Sequence, residues 1–225
     1  MKIQQRKTLL AVSAVAPWTQ TDGYALRVAN FLEQLARWWE VTAVSPGPDD
    51  GAAHSPSEIE WETVAGVPTT TALPWRPERE ALVKRVRQLL EAREFDDAAL
   101  WPGTEFLAQA VPNFPRTVVD RMDCGTLQAW RGLRHRRGKS FREQLSHIRY
   151  GLEQVHYEAT TLRSLDRVFV TGADDARVLE MVSGHRNVAV IPNGVSLPDL
   201  SDLPDQSDTP TVIFTGVLSY DPNVE

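Results

Sequence analysis

Residues 9–46 read LLAVSAVAPWTQTDGYALRVANFLEQLARWWEVTAVSP. Leu9–Val15 and Glu40–Pro46 are short apolar runs rich in valine, and each predicts a buried strand of a parallel sheet. Apolar residues between them recur at helical spacing and predict a helix over 23–39. We expect its buried stripe to comprise Leu26, Ala29, Phe31, Leu32, Leu35 and Trp38.

The first apolar run has an alternative interpretation. Lys2, Arg6 and Lys7 precede it, as basic residues precede the apolar core of a secretory signal. The run is short for a signal, and Pro17 follows the candidate cleavage site directly. A first buried strand is therefore the preferred interpretation.

The same alternation continues along the chain. Further strands are predicted at 58–64, 97–103, 116–123, 166–172 and 187–192, and helices at 78–93, 104–111, 140–164 and 173–182. Helices that alternate with valine-rich strands indicate an α/β fold with a parallel sheet covered on both faces. We therefore predict a Rossmann-like three-layer domain with a mostly parallel sheet, in which 9–15, 41–45, 118–120, 168–170 and 188–191 run parallel.

Composition excludes several classes of protein. The 225 residues carry a net charge of −6, which gives no general case for binding nucleic acid. Cys124 is the single cysteine, so no internal disulfide can form, and a reducing, cytoplasmic location is expected. The first loop lacks G-x-G-x-x-G, which argues against a dinucleotide-dependent oxidoreductase. The five histidines are scattered and indicate no metal site.

A change of composition indicates a domain boundary. Residues 196–210 read SLPDLSDLPDQSDTP, a polar and proline-rich connector, and the strand-like run TVIFTG follows at 211–216. We predict an N-terminal domain at 1–197, a linker at 198–210, and the first strand and loop of a second domain at 211–225.

Several segments, in this order, resemble glycosyltransferase family 4, whose members have the GT-B fold. The domain junction is represented by VAVIPNGVSL (188–197) and TVIFTGVLSYDPNVE (211–225), and the family's opening by residues 16–46. VVDRMDCGTLQAW (118–130) and YEATTLRSLDRVFVTGADDARVL (157–179) resemble sugar transferases linked to bacterial exopolysaccharide and PEP-CTERM sorting systems.

The resemblance implies the N-terminal half of a two-domain enzyme. The second domain would hold a nucleotide-sugar donor, and the first would bind a glycan or lipid-linked acceptor. Transfer would proceed with retention and would need neither a cofactor nor a metal. With most of the second domain absent, we expect this chain alone to be inactive. The alternative is a non-catalytic Rossmann-type module that binds a ligand or a protein.

Polar residues that follow strands are the candidate site residues, because ligands of open parallel sheets bind beyond the carboxyl ends of the strands. Asp120 and Asp123 are candidate catalytic carboxylates, which could orient an acceptor hydroxyl or stabilise positive charge on a sugar ring. Capping or turn aspartates are the equal alternative. Glu158 is predicted as an exposed helix-face charge rather than a buried acid paired with an arginine. Asn193 and Gly194 are predicted as a hinge turn.

The resemblance adds three cleft residues. Gly23 would face the donor diphosphate, although the residues alone favour a turn glycine after an Asp22 helix cap. Thr171 would face the cleft, with helix capping as its alternative. Gly216 would give the donor clearance in the second domain.

A basic segment stands out in an acidic protein. Residues 121–149 contain eight lysines and arginines and two acidic residues. Interleaved apolar residues predict that the 131–149 part contacts an anionic membrane at the inner face, although a solvated charged face is the ordinary alternative. Those residues are Trp130, Leu133, Phe141, Leu145 and Ile148.

Overall fold

The computed structural model describes residues 6–19, 22–47, 56–64, 79–134 and 140–194. The predicted linker at 198–210, the predicted second-domain strand at 211–225 and Gly216 lie outside the described residues. By its internal contacts the chain divides into Met1–Asn193 and Gly194–Glu225, a division at the predicted hinge. The domain boundaries stay a prediction.

A seven-stranded parallel sheet forms the centre of the fold. Its strands lie in the order β3-β2-β1-β4-β5-β6-β7, and every neighbouring pair is parallel. The predicted α/β Rossmann-like fold is therefore confirmed, and residues 9–12 belong to β1, an interior strand of the sheet. The strands are β1 (Lys7–Val12), β2 (Trp39–Pro46), β3 (Ile59–Val64), β4 (Asp97–Leu100), β5 (Arg116–Met122), β6 (Arg167–Val170) and β7 (Val188–Val190).

Six α-helices are present in the described part of the chain. They are α1 (Gly23–Leu35), α2 (Glu80–Ala92), α3 (Leu107–Ala110), α4 (Gly125–Arg134), α5 (Phe141–Thr160) and α6 (Ala173–Ser183). A capping box between Ser140 and Glu143 begins α5. Gly184, with φ 66°, ends α6 in the left-handed conformation that favours glycine. The α4 helix was not predicted.

The core lies on both faces of the sheet. In β1, Leu10 and Val12 pack into one buried cluster, while Leu9 and Ala11 pack into another on the opposite face. Val28 and Leu32 of α1 cover this second face. Side chains that alternate between two apolar clusters explain why residues 9–12 of β1 are all apolar instead of alternating with polar residues.

The predicted buried stripe of α1 is wrong in part. Leu26 is 47% exposed and Trp38 is 73% exposed, and the helix ends at Leu35. The buried face is formed instead by Ala25, Val28, Ala29 and Leu32, together with Arg27. Alanines on this face let the helix approach the sheet closely, and Trp38 belongs to the turn before β2.

Candidate functional site

The sheet has a topological switch point between β1 and β4. These strands are neighbours, but the chain leaves them in opposite directions across the sheet, which makes this the point where ligands bind in open α/β folds. A cavity of about 230 Å³ with a mixed polar and apolar lining lies beside this point, at the carboxyl ends of β4 and β5 and next to the start of α1. We call it the strand-end cavity; its lining includes Tyr24, Gly103, Arg121, Asp123, Gln154 and Tyr157.

A β-bulge in β5 shapes this cavity. The register with β6 shifts between Asp120 and Met122, and Met122 has φ 64°. Few residues other than glycine adopt this backbone conformation, and bulges next to binding sites redirect side chains. Asp120 bonds to α1, whereas Arg121 points to the opposite side and lines the cavity.

Arg121 is the centre of a buried polar network. Its Nη1 donates to Glu105 Oε1 at 3.1 Å, its Nη2 donates to Gln154 Oε1 at 3.1 Å, and it lies over the Tyr157 ring. Burial alone lowers the pKa of Arg121, but the nearby Glu105, Tyr157 and Glu158 raise it overall. The guanidinium is therefore fixed in its charged form and held in place by the protein itself.

Glu105 connects this network to the loop after β4. Its Oε2 accepts from the Gly103 N–H at 2.6 Å and from the Tyr157 hydroxyl at 3.0 Å. Burial, with a further contribution from Glu105, raises the pKa of Tyr157, so that hydroxyl stays a donor. One fully buried carboxylate thus links Arg121, the β4 loop and α5.

Glu158 is fully buried, so its prediction as an exposed charge is wrong. Its Oε1 accepts from the Gly125 N–H at 2.7 Å and lies 3.7 Å from Arg121 Nη2. Its Oε2 accepts from the Thr126 hydroxyl at 2.6 Å. A carboxylate from α5 therefore caps the N-terminus of α4, where the helix dipole favours a negative charge.

Asp123 and Thr171 are brought together at the edge of the cavity. The Thr171 hydroxyl lies 3.3 Å from Asp123 Oδ1 and 3.1 Å from the Met122 carbonyl oxygen. Gln128 Nε2 donates to the other carboxylate oxygen of Asp123 at 3.0 Å. Asp123 is exposed and lines the cavity, which suits it to contact a ligand hydroxyl.

Asp120 lies in a different group, which we call the Arg27 clamp: Arg27, Asp120, Ile191 and Asn193. Both carboxylate oxygens of Asp120 accept from Arg27, at 2.7 and 3.0 Å. Arg27 also donates to the Ile191 carbonyl oxygen and to Asn193 Oδ1, at 3.0 and 2.8 Å. The clamp ties α1 and β5 to the residues after β7, where the hinge is predicted. This geometry favours a positioning role for Asp120 over a catalytic one.

Gly23 is the first residue of α1, after an Asp22 N-cap that accepts from the Ala25 N–H at 2.8 Å. An added Cβ at Gly23 would meet no atom within 4 Å among the described residues. Its neighbour Tyr24 lines the cavity and donates its hydroxyl to the Pro102 carbonyl oxygen. The fold itself therefore does not require a glycine at position 23.

Arg27, Glu105, Arg121 and Gln154 were not identified from the sequence. Arg121 stands beside Asp120, and Glu105 follows β4. The rule that selected Asp120, a position at the carboxyl end of a strand, could have selected both. No local signal identifies Arg27 or Gln154, because their partners are far away along the chain.

A second cavity, of about 470 Å³, lies on the face of the sheet that α1 partly covers. Phe31, Ala99, Val118 and Phe169 contribute to a mostly apolar lining. Its lining reaches the amino ends of β4, β5 and β6, at Asp97, Arg116 and Arg167. Ligands of such sheets bind beyond the carboxyl ends, so the smaller cavity is the better candidate site. Within the described ranges, His, Cys, Asp and Glu side chains form no group of three suited to a metal. No described helix has the length and apolarity needed to cross a bilayer.

The sheet order defines an α/β Rossmann-like domain, and the strand-end cavity beside its switch point is the candidate ligand site. Among solved structures, the chain is similar to a UGT transferase from Siraitia grosvenorii in complex with UDP, with a TM-score of 0.50 and 15% identity. The match covers 87% of this chain and 53% of that chain, so this chain spans about half of that enzyme. No family model and no curated protein matches the sequence. The fold is therefore one that a glycosyltransferase also has.

Proposed function

We propose that the chain is the acceptor-side domain of a nucleotide-sugar glycosyltransferase of the family 4 type, related to the exopolysaccharide-associated subgroup. The observation that carries the proposal is the strand-end cavity beside the switch point of a sheet whose fold a glycosyltransferase also has. Transfer would proceed with retention to a glycan or lipid-linked acceptor, without a cofactor or a catalytic metal.

The residues would act as follows. Asp123, beside Thr171, would orient an acceptor hydroxyl or stabilise the positive charge that develops on the sugar ring. Asp120 would act through Arg27, by fixing the start of the predicted hinge at Asn193 and Gly194. Gly23 would lie against the donor diphosphate at the N-terminus of α1. Gly216 would give the donor clearance from the second domain.

We further propose a cytoplasmic location with peripheral contact to an anionic membrane through the 131–149 segment, of which residues 135–139 lie outside the described residues. The support is a row of exposed apolar residues on α5, which we call the α5 stripe: Phe141, Leu145, Ile148, Leu152 and Val155. Phe141 is 80% exposed and Leu152 is 66% exposed. Arg142 and Arg149 are exposed on the same helix, as in helices that lie on anionic bilayers.

The first experiment compares sugar transfer by two forms of the protein. Radiolabelled nucleotide sugars are incubated with this chain and with any longer natural form found by reading the gene beyond the codon for Glu225. We expect turnover only in the longer form, because positioning donor and acceptor together contributes roughly 7–11 kcal/mol to such reactions.

The outcomes separate the alternatives. Turnover by this chain at the rate of the longer form would contradict the assignment of a half-site. If a longer form binds no nucleotide sugar and transfers none, the glycosyltransferase proposal fails and the non-catalytic module is favoured. A product with inverted anomeric configuration would contradict retention alone.

A further inference from the structure

The strand-end cavity has two groups that ordinarily bind anions, and the first is Arg121. It is the one cation among the described lining residues, and its guanidinium already lies against Glu105 and Glu158, both fully buried. Phosphate and carboxylate ligands are held by forked bonds from a free guanidinium. Nη1 of Arg121 is therefore committed to Glu105, and Nη2 to Gln154 and Glu158, so the two Nη groups offer no free fork to a ligand. Its Nε is buried and has no hydrogen-bond partner among the described residues.

The second such group is the N-terminus of α4. Backbone N–H groups at a helix N-terminus form a natural anion site, and Gly125 lines the cavity. Here the Gly125 N–H donates to Glu158, and the Cys124 N–H donates to Asp175 Oδ1 at 2.8 Å. Buried carboxylates thus occupy the place that a ligand phosphate would take.

The remaining charges also disfavour an anion. Asp123 adds an exposed carboxylate to the lining. Arg79, the other buried cation nearby, donates to the Gly103 carbonyl oxygen and lies over the Phe106 ring. Glu105, Glu158 and Asp123 therefore outnumber the two guanidinium groups around the cavity.

We propose that the strand-end cavity takes an uncharged sugar unit and rejects anionic ones. At about 230 Å³ it is smaller than the pockets that hold drug-sized ligands, which suits one ring at the end of an acceptor. Tyr24 and Tyr150 offer aromatic surface, and Gln128, Gln154 and Asp123 offer polar groups for ring hydroxyls. In naming this sugar the acceptor, the inference rests on the proposed function.

The test measures sugar binding to this chain by saturation-transfer NMR. Methyl glycosides of neutral hexoses are compared with methyl glycosides of the matching hexuronic acids, in which a free carboxylate replaces the hydroxymethyl group at C6. We expect a neutral glycoside to bind and its uronate to bind at least about tenfold more weakly, because a like charge in a partly buried site is weakly screened. Octyl glycosides of the same hexoses are measured in parallel. Equal binding of the methyl and octyl glycosides would show that the cavity binds the sugar itself rather than the alkyl chain.

Two variants show whether the preference belongs to this cavity. Asp123→Asn removes one lining charge and should reduce the preference for neutral sugars several-fold. Glu180→Gln removes one charge from the exposed surface of α6 and should leave it unchanged. Thermal melts check that both variants fold.

Three results of the ligand series would overturn the inference: no neutral methyl glycoside binds, a uronic acid glycoside binds as tightly as its neutral partner, or only octyl glycosides bind. It would also be overturned if Glu180→Gln changed the preference for neutral sugars as much as Asp123→Asn does. Failure of the proposed function looks different. Neutral sugars would then bind this cavity while a longer form transfers no sugar.

Discussion

Breaking the Arg27 clamp should destabilise the fold. The side chains of Arg27 and Asp120 are 6% and 3% exposed and are joined by two hydrogen bonds. Asp120→Asn keeps the shape of the side chain but leaves the Arg27 charge buried without its carboxylate. Removing one partner of a buried ion pair costs about 3–5 kcal/mol of unfolding free energy.

The loss is large enough to measure by urea and thermal unfolding. At roughly 2–4 °C per kcal/mol for a chain of this size, Asp120→Asn should lower Tm by roughly 6–20 °C. Arg27→Met should lower the unfolding free energy by a similar amount, because it leaves the Asp120 carboxylate buried without a cationic partner. The double variant Arg27→Met/Asp120→Asn should be less destabilised than the two single changes together, with a coupling on the order of 3 kcal/mol.

An exposed ion pair supplies the matched control. Arg149 and Glu153 pair across one turn of α5, and the Arg149 side chain is 81% exposed. Glu153→Gln should therefore cost no more than about 0.5 kcal/mol. If Asp120→Asn lowers the unfolding free energy no more than this control does, Asp120 is not a structural partner of Arg27. The prediction that Asp120 is catalytic would then be favoured.

Three further changes test other parts of the molecule. Gly23→Ala should keep or raise stability by about 0.5–1 kcal/mol, yet weaken nucleotide-sugar binding by a longer form in titrations; unchanged binding would argue against diphosphate contact. Burial, with Glu158 nearby, raises the pKa of Cys124 to about 12, so the native protein should resist labelling by iodoacetamide at pH 8.5, and rapid labelling would contradict this. The unfolding free energy measured in urea should fall as pH rises above 9.0, because only the unfolded thiol ionises there. Replacing Leu145 and Leu152 by serine should change stability by less than about 0.5 kcal/mol per site but reduce co-sedimentation with anionic vesicles; undiminished binding would exclude the α5 stripe.

Strands were predictable because their signal is local. Each of the seven consists of a short run of buried or alternating residues bounded by breakers, and the pattern needs no knowledge of partners. Helix faces were less predictable. The sequence of α1 offers two apolar stripes, and only packing on the sheet selects the one with Ala25 and Ala29.

The α4 helix was missed for a related reason. Its segment is basic, and Ala129 is its one strongly buried residue beyond the first turn among those with described side chains. Packing against α5 and the Glu158 cap support it, and neither is visible in the residues of α4 themselves.

The sequence indicated which edge of the sheet carries the candidate site, but not the hydrogen bonds and ion pairs around it. Strand ends pointed to Asp120 and Asp123, and both lie at the end of β5, but only Asp123 lines the strand-end cavity. The partner of Asp120, however, is Arg27, 93 positions away, and Glu158 lies 33 positions from the Gly125 N–H that it accepts. Such pairs arise from the topology of the sheet, and a single sequence carries no local trace of them.

The order of the strands bears on how the chain can acquire its structure while a ribosome makes it. In the described sheet, β2 and β3 add outward on one side of β1, and then β4 to β7 add outward on the other side. Each strand that emerges pairs with one that has already been made, and none has to be inserted between two existing neighbours. Domains generally fold as units from the N-terminus during synthesis, and exposed strand edges are then a hazard. Because the sheet grows at an open edge, β4 needs only β1 as a partner when it emerges. New strands are therefore added at one edge of the sheet at a time.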